Sequence, residues 1–146
     1  MECQNHHTEG LSGLVRRAKR LLRREFESAL ECYGLTHVQF RVLRSLWEQD
    51  GLSIGELGRS QCLDAATITG LVDRLEAKGL VRRCRGADDR RAVQVFLTEQ
   101  GSALRQTLKG IGATVEAKAT AGMSPEDARK LNALLRQVCD NLEKEA

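Results

Sequence analysis

At 146 residues, with 41% hydrophobic and 29% charged side chains, the chain has the length of one domain with a real core and the composition of an ordinary soluble globular protein. Aromatics make up 3% and there is a single proline, which favours helices over a β-sandwich. The net charge of +3 permits nucleic acid without demanding it, so the placement of charge matters more than its sum.

No apolar run approaches the length of a membrane span, and the polar opening Met1-Glu-Cys-Gln-Asn-His-His is not a signal peptide. No membrane association and a cytoplasmic location are expected. The five cysteines, Cys3, Cys32, Cys62, Cys84 and Cys139, are odd in number and contain no C-x-x-C pair. Neither a disulfide framework nor a cysteine-rich zinc site is indicated. His6, His7 and His37 are too scattered to make a metal site by spacing, and no cofactor is expected.

In chain order, residues 1 to about 8 are polar and expected to fray. Leu11, Leu14, Val15, Ala18, Leu21, Leu22, Phe26, Ala29, Leu30 and Tyr33 repeat at helical spacing, and Gly34 sits where a terminating glycine belongs. This is a long amphipathic helix whose other face carries Arg16, Arg17, Lys19, Arg20, Arg23 and Arg24. Thr36-His-Val-Gln39 reads as a capping box opening a second helix through Phe40, Leu43, Leu46 and Trp47. Ser53-Ile-Gly-Glu56 opens a short third helix to about Gln61. After the turn, Asp64 is a good N-cap for a fourth helix with Ile68, Leu71, Val72 and Leu75 as its apolar stripe and Gly79 as its end.

A β-hairpin follows, its second arm alternating Val93, Val95 and Leu97 with Ala92, Gln94 and Phe96 as a half-buried strand does. Thr98 caps a long helix ending near Gly122. Ser124-Pro-Glu-Asp127 opens a last helix with Ala128, Leu131, Leu134, Leu135, Val138 and Leu142 on one face. Two short helices joined by a tight turn, then a hairpin, make a winged helix-turn-helix. The expected fold is therefore mainly α, with long N- and C-terminal helices and a two- or three-stranded β-wing. The chain forms a single unit over 1–146, with the winged helix-turn-helix at 35–98 and dimerisation helices at 9–34 and 99–146. Residues 98–146 carry seven basic and seven acidic side chains, whereas residues 82–91 hold five arginines against two aspartates. That asymmetry places the phosphate-facing surface at the wing.

Asp89-Arg90-Arg91-Ala-Val-Gln-Val95-Phe-Leu97-Thr98-Glu-Gln-Gly101 resembles the wing of the MarR family of bacterial transcription regulators, D-x-R, three residues, V-x-L-T-x-x-G, position for position. The segments from Thr69 to Arg83 and from Leu35 to Leu43 are similar to that family's recognition helix and second helix. The resemblance runs from about residue 11 to 142. It implies a homodimer in which the first, fifth and sixth helices interlock. It also implies repression of a nearby operon, relieved by a small anionic, phenolic ligand or by thiol oxidation, with a pseudo-palindromic double-stranded operator as the partner.

Within that frame Arg91 is expected to insert into the minor groove, where narrow A·T-rich stretches concentrate negative potential. Asp89 is expected to hold its guanidinium in place, and Arg90 and Arg85 are counted with them at the DNA. In the fourth helix Ala65, Ala66, Thr67, Thr69, Gly70 and Asp73 lie off the apolar stripe. The small residues permit close approach, and threonine can donate to phosphate or touch a thymine methyl. Arg74 either meets phosphate or pairs with Asp73 or Glu76.

Cys84, between Arg83 and Arg85, is a candidate redox sensor because flanking positive charge favours the reactive thiolate. Cys62 is a second candidate, although it and Cys32 read more simply as small buried fillers. Arg16, His37 and Arg41 are candidates for an anionic effector cleft. In the peroxide-sensing branch of the family the reactive cysteine lies early in the first helix; that position here is Ser12, and its supporting tyrosine is Phe26, which argues against that mechanism. Two readings from other classes stand beside this one: a thiol-based redox enzyme using Cys84 or Cys62, and a winged-helix protein-interaction module without DNA binding. No base is spaced to serve either thiol and no Gly-rich phosphate loop is present, so an enzyme is not expected.

Overall fold

The computed structural model describes residues 9–85 and 93–144. Helix α1 (Leu11–Leu30) forms over the apolar repeat, but its regular turns stop before Tyr33. Glu31–Tyr33 tighten into a 3-10 turn, closed by Gly34 in the left-handed region at φ 62°. That tightening lets the chain leave the helix without orphaning its last carbonyls.

Each helix start marked by the sequence carries the cap expected there. At α2 (His37–Glu48) the Gln39 amide donates to Thr36 Oγ1 at 3.2 Å and the Thr36 amide to Gln39 Oε1 at 3.1 Å. Ser53 and Glu56 repeat this exchange at α3 (Ile54–Gln61). The Thr67 amide donates to Asp64 at α4 (Ala65–Ala77). Thr98 accepts from the Gly101 amide at α5 (Glu99–Ala119), and Ser124 from the Asp127 amide at α6 (Pro125–Lys144).

The sheet has three antiparallel strands in the order β1-β3-β2. The hairpin supplies β2 (Val81–Arg85) and β3 (Val93–Leu97). The third strand, β1 (Leu52–Ser53), is a two-residue stretch just before α3, pairing Leu52 with Val95 and Ser53 with Gln94. The wing is thus stitched to the helix-turn-helix through β3. The alternation expected along β3 is weaker than the sequence suggests. Only Val95 is fully buried, and Phe96 on the opposite face is half-covered too.

One core joins Leu30 of α1, Phe40, Leu43 and Leu46 of α2, Leu57 of α3, Ile68 and Leu75 of α4, Val81 and Val95 of the sheet, and Leu108 of α5. The chain divides into two compact units, residues 1–112 and 113–146, with the boundary inside α5. In the second unit no residue of α6 is buried: Leu134 is 52% and Leu142 66% exposed. In the first unit α1 likewise leaves Leu11, Leu14, Val15 and Leu21 exposed. Among the described residues no helix is long and apolar enough to cross a membrane.

Candidate nucleic-acid interface

Helix α4 turns Ile68, Leu71, Val72 and Leu75 into the core and leaves Ala65, Ala66, Thr67, Thr69, Asp73 and Arg74 exposed. Its start is held by Asp64, whose carboxylate accepts from the Thr67 amide and the Thr67 hydroxyl, both at 2.8 Å. Those two bonds, the amide first, hold the carboxyl below its ordinary range. The Thr69 hydroxyl donates to the Ala65 carbonyl at 2.8 Å. Both threonine protons are therefore spent within the helix. What Thr67 and Thr69 turn outward is a methyl group and an accepting oxygen, which suits thymine methyl contact better than donation to phosphate. A Cβ built on Gly70 meets nothing within 4 Å, so the helix has a flat, open spot there.

Of the two roles open to Arg74, phosphate contact or pairing with Asp73 or Glu76, the second falls in this structure to Arg83 of β2, which pairs with both acids. Arg83 Nη2 donates to Asp73 at 2.5 Å and to the Thr69 carbonyl at 3.2 Å. Its Nη1 donates to Glu76 at 2.6 Å, and its backbone amide reaches the same carboxylate at 3.1 Å. Burial works against the Arg83 charge, but the bonds to Asp73 and Glu76 outweigh it and raise its pKa. Sequence reasoning missed this clamp. A signal for it exists: Val81 is buried and strand side chains alternate, so Arg83 occupies a core-facing position where an arginine demands acidic partners.

On the other face of β2, Arg82 lies over the Phe96 ring at 5.2 Å and its Nη1 donates to Cys84 Sγ at 2.6 Å. Cys84 thus does sit under positive charge, but from Arg82 rather than from its neighbours Arg83 and Arg85, which strand alternation sends to the opposite face. Arg85 is exposed at the strand end. Asp89, Arg90 and Arg91, the expected wing-tip probe and its holders, lie outside the described residues.

The base of the wing is tightly built. Asp50 accepts from the amides of Gly51 and Leu97 at 3.0 and 2.9 Å. Thr98 Oγ1 donates to the Gly79 carbonyl at 2.6 Å while accepting from the Gly101 amide at 3.1 Å. A Cβ on Gly101 would lie 2.0 Å from the Leu80 carbonyl oxygen. Only glycine fits, which gives the last position of the V-x-L-T-x-x-G pattern a packing reason. The Trp47 indole donates to the Gly101 carbonyl at 2.9 Å, tying α2 to the same corner.

Comparison with known proteins agrees with this geometry. Residues 35–93 match the model of the MarR family. The wild-type MarR structure from E. coli covers 88% of this chain at 28% identity, with a TM-score of 0.76 over 96% of that chain. The chain belongs to the MarR family. The HTH-type transcriptional regulator TtmR of Methylorubrum extorquens is 40% identical over 82% of the chain, which spans 60% of that relative's length. A structure of Bordetella bronchiseptica BpsR, described by the regulation of its DNA binding by 6-hydroxynicotinic acid, is 30% identical. It has a TM-score of 0.84 and covers 92% of this chain and 96% of that one.

Of the residues expected at an effector cleft, His37 opens α2 where that helix meets α1. His37 stacks on Phe26 with ring centroids 4.3 Å apart and planes 7° from parallel. Its pKa is lowered, first by burial and then by Arg41, with Glu27 opposing and Arg23 and Arg44 adding to the effect. The α1 cation felt at His37 is Arg23; Arg16 is exposed nearer the helix start. Arg41 also donates to the Gln61 carbonyl at 3.3 Å, at the end of α3.

The expectation of buried Cys62 and Cys32 is overturned, since both are exposed in the chain. Cys62 caps α3 in the left-handed region at φ 54°, which turns its side chain outward. Cys32 sits in the 3-10 turn that ends α1, away from the face that buries Leu30. Among the described residues no cluster of His, Cys, Asp or Glu is set to hold a metal.

Proposed function

We propose that this chain is a homodimeric, sequence-specific double-stranded-DNA-binding regulator of transcription, a cytoplasmic repressor rather than an enzyme. The observation that carries the reading is α4. It is a capped helix whose exposed N-terminal half is Ala65, Ala66, Thr67, Thr69 and Gly70, clamped by its acids to an arginine-rich wing strand. Small residues let the helix sit deep in the major groove, and the arginines of the wing, Arg91 foremost, held by Asp89, and with it Arg90 and Arg85, meet the adjacent minor groove and phosphates. The exposed apolar stripes of α1 and α6 are faces for a second copy, so each operator half-site receives one α4.

Release from DNA follows from a small anionic aromatic compound drawn to His37, Arg41 and the α1 arginines, Arg16 and Arg23. The ligand named for the BpsR structure, 6-hydroxynicotinic acid, is of that chemical kind. Oxidation of Cys84 by a peroxide is a second route, since the thiol lies on the wing strand, where its sulfur accepts from the Arg82 guanidinium.

A gel-shift titration on the promoter duplex upstream of the protein's own gene, at several salt concentrations, tests the reading. Salt-sensitive, sequence-selective retardation is expected, weakened by roughly tenfold or more in Arg91→Ala with dimerisation intact. Absence of selective binding leaves the protein-interaction module or the thiol enzyme as the better reading. In the same assay, peroxide-induced release that survives Cys84→Ser excludes that thiol as the switch.

A further inference from the structure

A helix that lies against DNA should not present unneutralised carboxylates to a polyanion. Helix α4 carries two in its C-terminal half, Asp73 and Glu76, with side chains 61% and 41% exposed. One residue meets both. Arg83 projects from β2 on the face shared with buried Val81 and with its cross-strand partner Val95, so it points at α4 and away from the Arg82–Cys84 side of the sheet. Its side chain is only 25% exposed, and it donates to Asp73, Glu76 and the Thr69 carbonyl together, while its own amide binds Glu76 a second time.

We propose that Arg83 is the positioning residue of the DNA-reading head. By holding Asp73, Glu76 and the Thr69 carbonyl at once, it locks α4 to the wing strand and offsets one of the two carboxylate charges that would repel the phosphate backbone. The fork geometry of guanidinium is what allows this, because two carboxylates on successive turns need donors pointing in two directions. The lock makes α4 and the base of the wing one rigid piece, so that the angle between the groove-reading helix and the hairpin is set before DNA arrives. Asp73 then serves as Arg83's partner and is not a reader of bases. The proposal rests on the reading that α4 faces DNA.

The test uses the full chain and a fluorescein-labelled duplex selected by the unaltered protein from a random pool. Arg83→Met is expected to weaken binding by about tenfold or more, through two uncompensated carboxylates beside the phosphates. Adding Asp73→Asn and Glu76→Gln to it should restore most of the loss, a rescue that a purely structural arginine would not allow. Arg83→Lys should recover only part, since one ammonium cannot span both acids. Hydrogen exchange of the amides from Thr69 to Glu76, followed without DNA, should quicken in Arg83→Met.

Affinity of Arg83→Met within about twofold of the parent, or a triple variant as weak as Arg83→Met, overturns charge cancellation. Unchanged exchange overturns the lock. Quickened exchange with unaltered affinity upholds the lock and overturns charge cancellation alone; the DNA-facing reading of α4 is tested apart from both, by the DNA affinity of Gly70→Ala. A change of base preference in Asp73→Asn alone overturns the assignment of Asp73.

Discussion

His37 sits at the first position of α2 with its ring flat against Phe26, and the fold favours its neutral form. Burial disfavours the imidazolium, Arg41, Arg23 and Arg44 repel it, and Glu27 opposes them without prevailing. The folded-state pKa therefore lies below the ordinary 6.5. As pH falls through that ordinary value the unfolded chain takes up the proton first, so stability present above it is lost on going down. Thermal melts between about pH 8 and pH 5 should show the midpoint of the parent falling faster below about pH 6.5 than that of His37→Gln. Parallel curves would contradict this account of the stack.

Single residues also mark where sequence reading stopped. The caps at Thr36, Ser53, Asp64, Thr98 and Ser124 were legible because a cap is a local pattern, side chain to a backbone amide three residues on. The exposure of Cys62 was not, because it depends on a left-handed backbone at a non-glycine residue. Nothing in the local pattern there announces it.

At the scale of elements, the apolar periodicity of α1, α2 and α4 was enough to place them, and the stripe expected for α4 is the one buried. The end of α1 shifted by a turn because a 3-10 turn is nearly degenerate with the helix it finishes. The strand β1 was hidden because two residues hold no period; only its long-range pairing with β3 defines it. The Arg83 clamp shows along the strand only as an arginine at a core-facing position; its partners stand ten and seven residues away on another element.

Helix α4 itself yields a sharp expectation at Gly70, half-buried and with open space where a Cβ would stand. Gly70→Ala should stabilise the chain by about 0.5–1 kcal/mol in urea unfolding, since alanine restricts the unfolded chain and fits the helix. On the proposed reading the same methyl intrudes where the helix meets the groove, so DNA affinity should fall while stability rises. Equal or tighter DNA binding by Gly70→Ala would mean that this face does not approach DNA closely.

For the whole molecule, the residues that bury nothing within the chain are as informative as the core. Leucines on α1 and α6 are exposed at 37% to 66%, and helices with such unpartnered stripes call for another surface to cover them. The amphipathic character of both helices could be read from the sequence, and so could the balanced charge of residues 98–146, which suits an interface better than a phosphate-binding surface. The proposed function covers these faces with a second copy, which gives two reading heads, each an α4 with its wing.

Hydroxyl-radical footprinting of the full chain on a duplex it has selected tests that claim most directly. The account predicts two protected patches, one per half-site, with centres about one helical turn (~34–36 Å) apart on the same face of the duplex, and two chains bound per duplex. A single patch occupied by one chain, or no protection at concentrations where the duplex is fully bound, would contradict it.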